Sequence, residues 1–203
     1  MTTVVLLVRH AVHATIGSVL TGRSDAASLS LPGIRQARQL ANLLAMEHFS
    51  GLISSPRRRA LETATQLANA LNLCVQAHDQ LDEIDTGDWT GRSFRALDCD
   101  PRWHHWNSNR ATARIPNGES MGELQSRIVA HLQQIHSRHS GGRVIVVTHA
   151  EPIRAAILHY RRMRLDDYAR IPVDPCSVTT LTLQGDKGEL ISANIKLLPP
   201  VAA

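Results

Sequence analysis

The chain has 203 residues, enough for one α/β domain with a full core, and its 43% hydrophobic and 20% charged residues mark a folding chain rather than a disordered one. A formal net charge of +4 with only 3% aromatic residues gives no basic face interleaved with stacking rings, so no nucleic-acid partner is expected. The first apolar run, 4–8, is too short to span a membrane and lacks the flanks of a signal peptide, which argues against a membrane partner and for the cytoplasm. Cys74, Cys99 and Cys176 are odd in number and far apart, and are read as packed or idle thiols outside any disulfide framework or metal cluster.

In chain order, 4–8 is a buried strand that stops at Arg9 and His10. Ser30 and Pro32 open a helix over 31–47, with Ile34, Ala37, Ala41 and Leu44 on one face. Leu52 and Ile53 mark a second strand, Ala60, Ala64, Leu67 and Leu71 a helix over 57–71, and 74–78 a short third strand. Over 87–118 the periodicity fails, and Trp89, Pro101, Trp103, Trp106 and Pro116 punctuate a loop-rich or partly helical cap. Ser120 and Glu123 form a capping box before a helix whose apolar face runs Met121, Leu124, Ile128, Leu132 and Ile135. The run 143–148 is the strongest buried strand, 151–160 the next helix, and 177–184 and 189–196 a hairpin. This order predicts an α/β fold in a single domain over 1–203: a mostly parallel sheet, helices on both faces, a cap insertion at 87–118 and a C-terminal hairpin.

In such sheets ligands bind beyond the carboxyl ends of the strands. Arg9 and His10 end one strand and Thr148 and His149 another, so neighbouring strands would bring both imidazoles to one edge. Arg59 falls in the first turn of a helix, where free backbone N–H groups and the dipole already favour an anion. Two histidines and two arginines repel one another unless a dianion sits among them, and phosphate is the obvious candidate.

Four stretches carry a resemblance to the histidine phosphatase superfamily, the phosphoglycerate mutase-like family: VRHA at 8–11, SSPRRRALETA at 54–64, LDEIDTGDWTG at 81–91 and VTHAEPIR at 147–154. The resemblance implies a phosphomonoester hydrolase that works through a phosphohistidine on a small phosphorylated metabolite, with no cofactor and no metal. It implies His10 as nucleophile, Arg9, Arg59 and His149 as holders of the phosphoryl oxygens, and Glu83 as the acid that protonates the leaving oxygen. Arg23, in LTGR, is a further expected contact with the substrate. Within the triple arginine the family pattern selects Arg59 and leaves Arg57 and Arg58 in solvent or at the rim. Ala11 and Val12 stand where the family has a glycine and an acidic residue; a small alanine with negative φ preserves the backbone approach to phosphate. The chain lacks the longer insertions of glycolytic mutases, which favours hydrolysis. A mutase-type phosphotransferase and a catalytically silent phosphate-sensing module are the alternative readings. A silent binder needs neither His10 nor Glu83.

Positive surroundings are expected to keep His10 unprotonated and to lower the Glu83 pKa until a bound dianion raises it, so that the acid carries its proton only with substrate in place. Other residues have structural readings. Ser120 caps a helix, Glu62 solvates one, and the cap tryptophans are read as packing groups, with Trp89, beside the acid loop, a candidate pocket wall; His104, His105, His136 and His139 lack any metal-ligand spacing and are read as surface groups. A Cys-nucleophile phosphatase needs an arginine six positions after the thiol, where this chain has Gln80, His105 and Thr182. A phosphorylated sugar, a ribose phosphate such as α-ribazole phosphate and a phosphoprotein all fit the motifs, and the oligomeric state is not legible.

Overall fold

The computed structural model describes residues 1–196. Thr3–Arg9 form β1, Leu31–Leu44 α1, Gly51–Ser54 β2, Arg58–Leu71 α2 and Val75–Ala77 β3. The insertion carries a 3-10 turn at Gly87–Trp89 and two short helices, α3 (Phe94–Leu97) and α4 (Pro101–Ser108). Then come α5 (Met121–Arg138), β4 (Arg143–Thr148), α6 (Ala150–Tyr160) and a hairpin of β5 (Val178–Gln184) and β6 (Lys187–Ile195). The strands lie in the order β3-β2-β4-β1-β5-β6; the first four are parallel, β5 is antiparallel to β1, and β6 is antiparallel to β5.

Unbroken apolar runs in β1 and β4 follow from a sheet covered on both sides. Val5, Leu7, Val144 and Val146 pack with residues of α5 and α6, whereas Leu6, Val8, Ile145 and Val147 pack with α1 and α2. Each such side chain, fully buried, contributes about 1.5–3 kcal/mol by leaving water. The alternation therefore locks the register: a slip of one residue would exchange the two cores.

The helix ends follow local chemistry. The Ser30 side chain accepts from the Gly33 amide at the start of α1, and the Ser120–Glu123 capping box is formed at the start of α5. α1 stops at Leu44 rather than 47 because the apolar face ends there; Met46 is 91% exposed. α2 closes on Asn72 in the left-handed region, φ 53°. Gly33 lets α1 approach the loop after β1, since a Cβ there would collide with the Val12 carbonyl. That approach fixes the backbone just beyond His10.

One expectation for the scaffold needs correction. His136 is a buried strut, not a surface group: Nδ1 donates to Thr3 Oγ1 (2.8 Å) and Nε2 accepts from the Gly185 amide (3.1 Å), tying α5 to β1 and the hairpin turn. Trp89 packs, as the cap tryptophans were expected to, fully buried in T-shaped contact with Trp103 and Trp106, ring centroids 5.3 and 5.8 Å away, and does not wall the cavity; of the three tryptophans, Trp103 and Trp106 reach it. No helix among the described residues is long and apolar enough to cross a membrane.

Candidate active site

β1 and β4 are parallel neighbours with Arg9 opposite Thr148, so the residues that follow, His10 and His149, emerge side by side with ring centroids 5.1 Å apart. His10 Nδ1 faces the Ala11 carbonyl at 2.9 Å. A carbonyl only accepts, so Nδ1 carries the hydrogen and Nε2 the lone pair. Arg59, from the first turn of α2, donates Nε–H to that Nε2 at 3.2 Å. Its Nη2 donates to the Gly22 carbonyl (2.7 Å) and to His149 Nδ1 (3.0 Å), and Nη1 to the Ser24 carbonyl (3.2 Å). Ala11 is buried, lies outside the left-handed region and donates its amide to Thr63 Oγ1 at 3.0 Å. The backbone geometry asked of this alanine is therefore met.

A guanidinium only donates, so His149 Nδ1 accepts and its hydrogen sits on Nε2. Nε2 donates to Ser55 Oγ (2.8 Å), which donates to Asp82 Oδ1 (2.8 Å), which also receives Arg57 Nε–H (2.9 Å). Arg57 further reaches Asp25 at 3.2 Å and the Arg23 carbonyl at 3.0 Å. This corrects the placement of Arg57 in solvent or at the rim: the half-buried guanidinium anchors the Asp82 end of the relay. Arg58 is exposed, as expected, and pairs with Glu62 at 2.8 Å. Glu62 does more than solvate its helix, because it accepts the Leu29 amide at 2.6 Å.

Burial, followed by Arg59 and Arg9, pushes the His10 pKa well below the ordinary imidazole value. For His149 the causes are burial, Arg59 and His10, with the same direction. These shifts favour the neutral form of both rings. Glu83 differs from the expectation of a lowered pKa. Burial first, then the nearby Glu151, raise it above the usual carboxylate value, against the Ile84 amide, Arg59 and Arg9, which lower it. Its Oε1 accepts from the Ile84 amide at 2.9 Å.

A cavity of about 450 Å³ opens onto Arg9, His10, Arg59 and Glu83. Arg9 donates to the Val173 carbonyl, and its buried Nε has no hydrogen-bond partner among the described residues. Arg23 does not line the cavity, contrary to its predicted substrate contact. The Glu83 carbonyl (2.9 Å), Asp85 (3.5 Å) and Glu119 (3.0 Å) turn its guanidinium to the back of the acid loop. His149 likewise lies behind the lining, with both nitrogens engaged. Its Nδ1 accepts from Arg59, which does line the cavity. Among the described residues no group of three or more His, Cys, Asp or Glu is placed to hold a metal ion.

The sequence profile of the histidine phosphatase superfamily (branch 1) matches residues 5–196. The chain belongs to this superfamily. Phosphoserine phosphatase 1 of Hydrogenobacter thermophilus is 29% identical to it over 169 residues, 82% of this chain and 80% of that protein. A 2,3-bisphosphoglycerate-dependent phosphoglycerate mutase of Thermoplasma acidophilum is 28% identical over 185 residues, 89% of this chain and 88% of that one. The crystal structure of an Entamoeba histolytica phosphoserine phosphatase mutant in complex with phosphoserine has the same fold: TM-score 0.86, 24% identity, 96% of this chain and 98% of that chain covered.

In this histidine phosphatase, sequence reasoning overlooked a second polar cluster in the same cavity. Arg110 is 3% exposed, with its guanidinium carbon 3.1 Å from the Trp106 ring centroid and 3.8 Å from that of Tyr168. Clamped on both faces, it offers only its edge. Nη2 donates to Asn107 at 2.8 Å; Nε and Nη1 have no hydrogen-bond partner among the described residues, and neither has Glu151 Oε2, 3.5 Å from Nη1. Glu151 stood in the VTHAEPIR stretch and was legible there. Arg110 lies where periodicity fails, and nothing local marks it.

Proposed function

We propose that the protein is a metal-independent phosphomonoesterase that forms a phosphohistidine on His10 and releases phosphate from a small phosphorylated metabolite. The observation that carries this reading is the His10 tautomer: the Ala11 carbonyl takes the Nδ1 hydrogen, which leaves the Nε2 lone pair beside Arg59 at the cavity wall. Nε2 attacks phosphorus in line and the ester P–O bond breaks. The leaving oxygen takes the Glu83 proton, and the Glu83 carboxylate then removes a proton from the water that cleaves the P–N bond. Arg9 and Arg59 balance the charge on the phosphoryl oxygens. His149, held by Ser55, keeps Arg59 in place.

Arg110 and Glu151 support a leaving group of compact, doubly charged character. A carboxylate on the Arg110 edge and an ammonium or hydroxyl against Glu151 Oε2 would satisfy atoms that lack partners. Phosphoserine, the substrate in the name of the Hydrogenobacter relative, has that chemistry. A cytoplasmic setting goes with such a substrate and with cysteines left as free thiols.

The test is rapid-quench kinetics with phosphoserine, 3-phosphoglycerate and an aryl phosphate. The reading expects inorganic phosphate as product and an acid-labile, alkali-stable phosphoenzyme that His10→Ala abolishes while its circular dichroism stays native. Phosphate returned to a second hydroxyl of the glycerate would establish the mutase instead. Tight phosphate binding without phosphoenzyme or turnover would establish a sensing module.

A further inference from the structure

His13 stands in the same cavity and has no part in the scheme above. It is 5% exposed, its ring centroid lies 5.3 Å from that of His10, and a backbone bridge to Leu29 fixes its position. Nδ1 meets the Thr15 hydroxyl at 3.2 Å, while Nε2 has no hydrogen-bond partner among the described residues. The charged and titratable groups around it are His10 and Arg9 from the end of β1, Arg59 from α2 and, on the same cavity wall, Glu83. Glu62 of α2 is committed to the Leu29 amide and to Arg58. Burial, then Arg59 and Arg9, lower the His13 pKa to about 4, so the ring is neutral when the site is empty.

We propose that His13 is a phosphate-binding residue: its Nε2 donates to a phosphoryl oxygen, and the ring takes up a proton as the dianion enters. This rests on the reading of the cavity as a phosphoryl site. The two arginines that disfavour an imidazolium in the empty site are neutralised by an arriving dianion, and the dianion's own field then favours the charged ring. Thr15 makes the change possible without moving the side chain. Its hydroxyl donates to Nδ1 while the ring is neutral and accepts from Nδ1–H once the ring is charged. One geometry thereby serves both states, and the third positive group appears only when there is negative charge to meet it.

Inorganic sulfate is the probe, because it is a dianion near neutrality and brings no proton of its own. With 15N-labelled histidine in the wild-type protein at pH 7, saturating sulfate should move the His13 ring nitrogens from neutral to imidazolium shifts. His13→Asn should weaken sulfate binding and raise KM for a phosphomonoester by roughly tenfold, the loss of one charge-assisted hydrogen bond. Both effects should shrink as pH rises and the bound wild-type ring loses its proton. A ring that stays neutral under saturating sulfate overturns the proposal, as does a folded His13→Asn protein that binds sulfate like wild type. The shift measurement needs no variant, so it stands even if the asparagine protein fails to fold. The two readings fail separately: a wild-type protein that forms no phosphoenzyme removes the esterase, whereas phosphoenzyme formation with sulfate binding indifferent to His13 removes only this role.

Discussion

Arg59 donates to the Nε2 of His10 across 3.2 Å, so the lone pair that would attack phosphorus is occupied while the site is empty. The carbonyls of Gly22 and Ser24 keep the guanidinium from following the imidazole. On the proposed mechanism, a phosphoryl oxygen that takes over the Arg59 N–H would free the His10 lone pair as phosphorus arrives. Arg59→Ala is expected to weaken inorganic phosphate inhibition about 100-fold, the scale of a lost buried charge-assisted contact. Because Arg59 lowers the His10 pKa, its removal raises that pKa and moves the acid limb of the kcat/KM profile to higher pH. An acid limb that stays in place would separate Arg59 from the nucleophile.

The neighbouring arginines should not behave alike. Asp82 is buried and depends on Arg57 and Ser55, so Arg57→Ala is expected to cost about 1–3 kcal/mol in urea denaturation by leaving a carboxylate short of a partner. Arg58 is exposed, and Arg58→Ala should change stability by less than about 0.5 kcal/mol. Equal effects at the two positions would contradict the relay.

Glu83 offers two readouts. Glu83→Gln should slow phosphoryl transfer from an alkyl phosphate by roughly 100-fold or more while sparing an aryl phosphate, whose leaving group needs little protonation. With the aryl ester the variant should accumulate phosphoenzyme. The second readout is stability. The folded-state pKa lies above the ordinary 4.5, so the folded chain holds this proton more tightly than the unfolded one. That contribution is complete below 4.5 and is lost as pH rises through the folded value, which leaves a penalty at neutrality. Glu83→Gln removes it and should raise Tm by roughly 2–4 °C at pH 7, with no gain at pH 4.

Chelation separates an arginine-based site from a metal-based one. On the proposed mechanism Arg9 and Arg59 supply the positive charge that a divalent ion would otherwise bring. Overnight dialysis against EDTA is expected to leave kcat with an aryl phosphate unchanged. A loss restored by zinc or magnesium would reopen metal chemistry at this edge.

The strands and helices were legible because the pattern that encodes them is local. The unbroken runs of β1 and β4 announce a sheet covered on both faces, and the N-cap serine of α1, the capping box of α5 and the apolar periods of both announce helices. From those elements the meeting of His10, His149 and Arg59 followed, since parallel strands end at one edge and the next helix begins there. The direction of each charged side chain did not follow. Arg57, Arg58 and Arg59 are consecutive, yet one holds Asp82, one pairs with its own helix and one caps His10. His149 is tied to a serine 94 residues away, Arg23 to Glu119, and Arg110 to rings of the cap and of the segment after α6. Periodicity says which face of an element is buried; it carries no record of which distant charge the fold sets opposite a given residue. That opposition, and the burial around it, decided that the Glu83 pKa is raised rather than lowered and that Arg23 is tied to Asp85 and Glu119 rather than lining the cavity.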